Sequence, residues 1–162
     1  MACLHRWGFL LLLVALVWFA GAIAPPAWAD DYNKAFLPEA DFSGQDLRDS
    51  SFTSATLRQS DFSHANLEGV SFFSANLDSV NFEGANLRNA ILGSARLTKA
   101  NLTNAVLEGA LAANARFEGA IIDGADFTGV LLRSDVEAQL CQGAQGRNPE
   151  TGRLTRDTLF CF

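Results

Sequence analysis

A bulky apolar residue recurs at every fifth position from Leu37 to Leu132, and this period of five constrains the fold more than any other feature of the chain. Twenty positions share the register, and all of them hold Leu, Phe or Ile except Ala112. The position two residues earlier is small in the same repeats, with fourteen Ala, three Val, two Ser and one Gln. Each unit therefore has the pattern small-x-bulky-x-x, and the fold must repeat with this unit.

Neither an α-helix nor a flat β-strand can bury this pattern. A helix turns about 100° per residue, so a step of five would scatter the bulky side chains around its axis. A strand alternates its faces, so an odd step would send successive bulky residues to opposite sides of a sheet. A solenoid with sides five residues long can direct one bulky and one small residue of each repeat inward. The period therefore predicts an all-β solenoid over residues 37–133.

Three of the repeats carry a family resemblance: Ala65-Asn66-Leu67-Glu68-Gly69, Ala85-Asn86-Leu87-Arg88-Asn89 and Ala125-Asp126-Phe127-Thr128-Gly129. They resemble the A-(D/N)-(L/F)-x-x units of pentapeptide-repeat proteins. The resemblance implies a right-handed quadrilateral β-helix with four repeats per coil, and hence about five coils here. Residues twenty apart would then stack, which places Phe residues in two facing interior columns.

One side of such a coil departs from the polar exterior that solvent favours. Phe73, Ile91, Leu111 and Leu131 all fall on it. An exposed apolar patch of this kind usually has something lying on it. We therefore predict an interaction face or cap-docking face here, covered either by the C-terminal segment or by another protein.

The C-terminal segment, residues 134–162, has no repeats. Ser134 and Glu137 match a capping box that would begin a short α-helix ending near Cys141. The last coil also needs a cover, because its open backbone edge would otherwise template aggregation. We expect residues 134–162 to form a C-terminal helix and a disulfide-closed cap that turns back toward the apolar face.

Residues 1–29 have the organisation of a cleavable signal peptide. Arg6 precedes an apolar stretch at residues 9–19, and Ala27-Trp28-Ala29 matches a small-x-small cleavage site. A retained membrane anchor is the alternative, but the apolar stretch is short for a spanning helix. Cleavage would leave no stable membrane insertion and would make residues 30–36 an N-terminal lead-in.

The remaining chain is acidic. Without residues 1–29 it has 11 basic and 18 acidic side chains, a formal net charge of −7. Such a charge repels phosphate, and no cluster of Lys and Arg offsets it, so nucleic acid is not expected as a direct partner.

Cys141 and Cys161 remain as a pair once Cys3 is removed with the signal peptide. In an oxidising compartment two cysteines that bracket a loop are most simply a structural disulfide, and closing about 20 residues contributes roughly 3 kcal/mol. A redox-active pair more often has the spacing C-x-x-C, and a metal site would need more ligands than two thiols and His64.

A second resemblance concerns location. The runs Gly146-Arg147-Asn148-Pro149-Glu150-Thr151-Gly152 and Thr155-Arg156-Asp157-Thr158-Leu159-Phe160-Cys161 are similar to the tail of thylakoid-lumen pentapeptide-repeat proteins of cyanobacteria and chloroplasts. Asp31-Tyr32-Asn33-Lys34 resembles their start. The similarity implies a lumenal, disulfide-capped solenoid, with the periplasm as the alternative location.

No nucleophile with an adjacent base, metal cluster or phosphate-binding loop is apparent in the repeats, so we predict neither an enzyme nor a cofactor or metal site. The pattern favours a non-catalytic exported scaffold that binds a protein partner. Two alternatives stay open. One is a DNA mimic that binds a topoisomerase, as some acidic pentapeptide-repeat proteins do, and the other is a thiol/disulfide redox-sensitive protein.

Overall fold

The computed structural model of the protein describes residues 30–161. The predicted signal peptide, residues 1–29, and Phe162 lie outside the described residues.

Backbone pairing joins residues that are twenty apart in the chain. A series of parallel bridges begins with Asp31↔Ser51 and ends with Leu111↔Leu131, and every member connects residue i to residue i+20. Each bridge is one residue long and is flanked by turns, so no longer strand occurs within residues 30–161. We call each twenty-residue unit, made of four repeats, a coil.

The hydrogen bonds between coils have a direction. The N–H groups of Phe52 and Ser54 donate toward the next coil, to Ser71 O at 2.7 Å and Phe73 O at 2.8 Å. Only Ser51 N–H donates back, to Asp30 O at 2.9 Å, and this pattern repeats along the chain. The outward edge of the first coil is therefore rich in carbonyl acceptors, whereas that of the last coil is rich in N–H donors.

Because a coil contains four repeats, we number four faces, one for each repeat. Interior residues 37, 57, 77, 97 and 117 define face 1, and each step of five residues leads to the next face, so that Phe42, Leu47 and Phe52 begin the interior columns of faces 2, 3 and 4. Almost all of these interior side chains from Phe52 onward are fully buried. The exterior positions of a face lie one residue before, one after and two after the interior residue.

Aromatic rings fill the first coils. Phe62 stacks on Phe42 with 4.7 Å between ring centroids, and Phe72 stacks on Phe52 at 5.2 Å. The two columns meet edge to face, as between Phe52 and Phe62 at 5.6 Å. Tyr32 extends the second column by stacking on Phe52 at 4.6 Å. Residues 30–36, expected as a lead-in, thus already lie within the first coil.

The corners of the coils are left-handed. From Lys34 to Gly129, the residue two positions after each interior residue has a positive φ, for example 59° at Lys34, 58° at Glu39 and 57° at His64. This conformation favours Gly, Asn and Asp because a Cβ atom crowds the backbone. The repeat therefore imposes its corner conformation on side chains that do not prefer it.

The tail, residues 134–161, contains helix α1 (Ser134–Cys141), helix α2 (Thr155–Thr158) and one antiparallel bridge, Arg147↔Leu154. The predicted capping box is wrong: Arg133 is the N-cap residue, and no side chain caps the helix. The Arg133 side chain instead pairs with Asp135 at 2.6 Å. Neither helix of the described residues is long and apolar enough to cross a membrane.

Candidate interaction face and tail contacts

The four residues predicted for an interaction face lie together on face 4. The exposed fractions of Phe73, Ile91, Leu111 and Leu131 are 48, 38, 46 and 63 %. Ile91, Leu111 and Leu131 are joined in turn by backbone bridges, so they form one row along the rod. No exterior position of face 4 from residue 51 to residue 131 carries a charge. Between residues 51 and 131, face 4 is thus an uncharged strip on an acidic protein. Its first two rows hold Ser and Thr apart from Phe73, and its later rows carry the other exposed apolar side chains.

The ring of Phe73 is accommodated by a glycine in the next coil. A Cβ atom on Gly93 would lie 3.1 Å from Cδ2 of Phe73, which is too close for an unstrained contact. Gly93 has no positive φ, so its backbone does not require glycine. The missing side chain at Gly93 is therefore explained by the room that the Phe73 ring needs.

A cavity of about 150 Å³ lies at the upper end of face 4, where the strip meets the tail. Its walls include Leu131 and Phe160 together with Phe127, Val130 and Glu137. Phe160 is 66 % exposed and has a φ of 52°. The apolar row of face 4 therefore continues onto an exposed aromatic ring of the tail.

A disulfide bond joins Cys141 at the end of α1 to Cys161, with 5.5 Å between the Cα atoms. The bond closes the loop that contains α2 and the antiparallel bridge. Across residues 30–161, no group of three or more His, Cys, Asp or Glu side chains could hold a metal ion.

Asn148 fastens the tail to the last coils. Its side chain is fully buried, and Nδ2 donates to the carbonyl oxygens of Gly124 at 2.9 Å, Asn104 at 3.1 Å and Ala105 at 3.3 Å. Its Oδ1 accepts the N–H groups of Glu150 and Thr151, both at 2.9 Å. The side-chain amide thereby connects two coils with the turn that follows it.

A second attachment is ionic. Nη1 of Arg153 lies 3.1 Å from Oδ2 of Asp126, whose side chain is fully buried, and 3.4 Å from Glu108. Burial raises the pKa of Asp126, but hydrogen bonds from Thr128, Thr151 and Arg153 outweigh it and hold the pKa below its ordinary value. The carboxylate therefore stays ionised beside the arginine.

This lowered pKa predicts an acid-sensitive tail. A carboxyl group whose pKa is lower in the folded state stabilises that state above its unfolded pKa of about 3.9, and the stabilisation is lost as the pH falls through the folded value. Asp126→Asn should cost about 1–2 kcal/mol of tail stability at neutral pH and should remove most of the acid dependence. Hydrogen exchange of the Gly124 amide, which donates to Gln145 O at 2.8 Å, measures both effects. Equal acid dependence in the variant and the wild type would contradict the role of Asp126.

The contacts of Asn148 and Arg153 place this part of the tail beside face 3 and the corner between faces 2 and 3. Glu150 adds an ion pair to Arg88 on face 3 at 2.7 Å. One of the two predictions for face 4 is that the tail covers it. In the structure the tail does not do so, and Phe73, Ile91, Leu111 and Leu131 are exposed. The attachments of Asn148 and Arg153 could not be predicted from the sequence, because neither residue belongs to a repeat.

Comparison with known proteins supports the repeat assignment. The family model described as a pentapeptide repeat region matches residues 29–102, and a model of eight pentapeptide repeats matches residues 90–129. None of the curated proteins compared with the chain matches it.

Two solved structures resemble the chain over most of the repeats. A pentapeptide repeat protein from the thylakoid lumen of Arabidopsis thaliana is 46 % identical, with a TM-score of 0.76, and the match covers 83 % of this chain and 90 % of that one. A pentapeptide repeat protein from the cyanobacterium Nostoc PCC 7120 is 30 % identical, with a TM-score of 0.53, over 64 % of this chain and 84 % of that one. The chain therefore belongs to the pentapeptide-repeat family, whose fold is a right-handed β-helix.

Proposed function

We propose that the protein is a non-catalytic scaffold that binds another protein through face 4. In this proposal residues 1–29 direct export and are removed, residues 37–133 form a quadrilateral rod of about five coils, and residues 134–162 cap it. The observation that carries the proposal is the exposed row of Ile91, Leu111 and Leu131 on the part of face 4, residues 51–131, that has no charges. A continuous row of exposed apolar side chains usually marks a surface that binds another molecule.

We propose the thylakoid lumen as the site of action, with the periplasm as the alternative. The similarity to an Arabidopsis thylakoid-lumen protein supports this location, as does the Cys141 to Cys161 disulfide, because such bonds persist in oxidising compartments. Mass determination of the protein from its native cells, combined with thiol titration before and after unfolding, tests the location. An N-terminus at Asp30 and two unreactive cysteines are expected, whereas free thiols on a chain that begins at Met1 would overturn it.

Binding through face 4 can be tested with two arginine substitutions at equivalent repeat positions. Leu111 on face 4 and Ile121 on face 2 are 46 and 52 % exposed. Arg96 and Arg116 occupy the same position of their repeats, so the fold accepts arginine there. Leu111→Arg should reduce co-purification of the partner at least tenfold, because a charge would have to be buried in the interface. Ile121→Arg should leave co-purification unchanged, and equal effects of both variants would contradict the proposal.

A second candidate function is mimicry of DNA toward a topoisomerase. Face 2 favours it, because every charged side chain at its exterior positions is acidic: Asp41, Asp61, Glu83 and Asp123. An exported protein would not meet a topoisomerase, so the mass measurement above separates the two functions. DNA mimicry would be supported if the cytoplasmic form inhibited a topoisomerase and if this inhibition were lost when the four acidic residues are replaced by their amides.

A further inference from the structure

We propose that the partner segment on face 4 is a single amphipathic α-helix whose contact surface is aliphatic and uncharged. This inference rests on the proposed function, because it specifies what binds to the face that the proposed function assigns to binding. The size of the face, the spacing of its side chains and the state of its backbone carry the inference.

The strip is too small for a stable dimer and has the size of one helix. Successive coils are about 4.8 Å apart, so the five rows from Ser51 to Leu131 span about 19 Å, and the two outer positions of each repeat lie about 7 Å apart. Stable interfaces bury roughly 800 Å² on each partner, far more than a strip of these dimensions offers. A helix about 10–12 Å wide covers the strip with about 13 residues. Two copies meeting at face 4 alone would therefore not form a lasting dimer.

The spacing of the apolar row also matches a helix. Ile91, Leu111 and Leu131 recur about every 4.8 Å, so the row covers about 9.6 Å. The apolar stripe of a helix advances about 5.4 Å per turn and covers about 10.8 Å in two turns. Side chains on one side of an extended strand recur about every 6.6 Å and would cover about 13 Å. Over the length of the row, the side chains of a helix therefore deviate by only about 1 Å from Ile91, Leu111 and Leu131, whereas those of a strand deviate by more than about 3 Å.

The backbone of face 4 leaves no edge for strand addition. Phe72 N–H donates to Ile91 O and Leu92 N–H donates to Leu111 O, both at 2.8 Å. Extended peptides gain much of their affinity from hydrogen bonds to an open strand edge. Face 4 can offer side-chain contact only, which is how amphipathic helices bind.

The two ends of the strip can position such a helix. In the second row of the strip, where the exposed apolar side chains begin, the ring of Phe73 packs against Gly93 and is exposed for contact. At the upper end the cavity between Leu131 and Phe160 has room for one bulky apolar side chain, with Glu137 at its wall. A helix with Leu, Met or Phe at the end of its stripe would fill that cavity and fix its register along the rod.

Photo-crosslinking can measure the register of the partner. Three full-length variants carry benzoylphenylalanine in place of Ile91, Leu111 or Leu131 and are irradiated in the cells that make the protein. Successive coils correspond to about 3.2 residues of a helix and about 1.5 residues of a strand. We expect the three probes to label partner residues three or four apart, within a segment whose apolar residues have the same spacing. Adding Leu111→Arg to the outer two variants should reduce their labelling at least tenfold, and Ile121→Arg should not.

Other labelling patterns would contradict a helical partner, and they show separately whether binding through face 4 also fails. Labels one or two residues apart in a partner would indicate an extended segment on face 4. Labels twenty residues apart in a second copy of this chain would indicate self-association. A probe in place of Ile121 that labels the same protein as efficiently would instead overturn binding through face 4 itself.

Discussion

Replacing Asn148 by Asp should detach the tail from the last coils. The carboxylate would face the carbonyl oxygens of Gly124, Asn104 and Ala105, which now accept hydrogen bonds from Nδ2 at 2.9–3.3 Å. Three repulsive contacts in a fully buried site should cost about 3–5 kcal/mol of tail stability at neutral pH. Hydrogen exchange at the Gly124 amide should then lose about 100- to 4000-fold of its protection, since 1.4 kcal/mol corresponds to a factor of ten.

The pH dependence of this variant and a matched control make the test specific. A buried carboxyl group among acceptors has a raised pKa in the folded state. The defect should therefore shrink as the pH falls through that raised value and be smallest below the unfolded pKa of about 3.9, where the proton allows one hydrogen bond. Asn114→Asp introduces the same charge at an exposed position of the repeats and should have little effect. Similar losses in Asn114→Asp and Asn148→Asp would show that added charge, and not the lost amide, is responsible.

Removing the tail after Arg133 should convert the protein into a head-to-tail polymer. The last coil would present its N–H donors, including those of Gly124 and Phe127, which the tail now occupies with Gln145 O and the Thr158 hydroxyl. The first coil of another copy offers the matching carbonyl acceptors, so the new contact would repeat the one between internal coils. Such a contact does not close on itself and leads to fibres. Light scattering and electron microscopy should show concentration-dependent filaments one rod in width.

A folded domain fused before Asp30 provides the control, because it covers the first coil without altering the repeats. The truncated fusion should stay monomeric, and so should the complete protein at the same concentration. Filaments of unchanged width from the truncated fusion, or a truncated chain that stays monomeric and folded, would contradict the role of the two edges.

The interior of the rod could be predicted from the sequence because every repeat has a small and a bulky residue at the same two positions. The period of five and the small residue before each bulky one leave one way to bury both, and the pairing of residues twenty apart places Phe42 on Phe62 and Phe52 on Phe72. The apolar residues of face 4 follow from the same register, since Ile91, Leu111 and Leu131 are twenty apart.

The tail could not be derived in this way, because its contacts join residues far apart that appear only once. Nothing local marks Asn148 as the partner of Gly124, or Arg153 as the partner of Asp126. The capping box at Ser134 failed for a related reason: Ser134 is already the first residue of α1, so its side chain is not at the N-cap position. The left-handed corners also escape detection, because Lys34 and His64 give no local signal of positive φ.

The pairing of residue i with residue i+20 has a consequence for how such a chain can change during evolution. Duplication of twenty residues would lengthen the rod by one coil and leave every later side chain on its own face. Duplication of five residues would preserve the interior equally well, yet it would move each later exterior residue a quarter turn around the rod. Placed between Ile91 and Leu111, it would divide the apolar row between two faces without disturbing the core. The length of the rod and the chemistry of its faces can therefore change independently. Gain of a whole coil lengthens the rod and keeps its faces, whereas gain or loss of a single repeat changes which residues share a face.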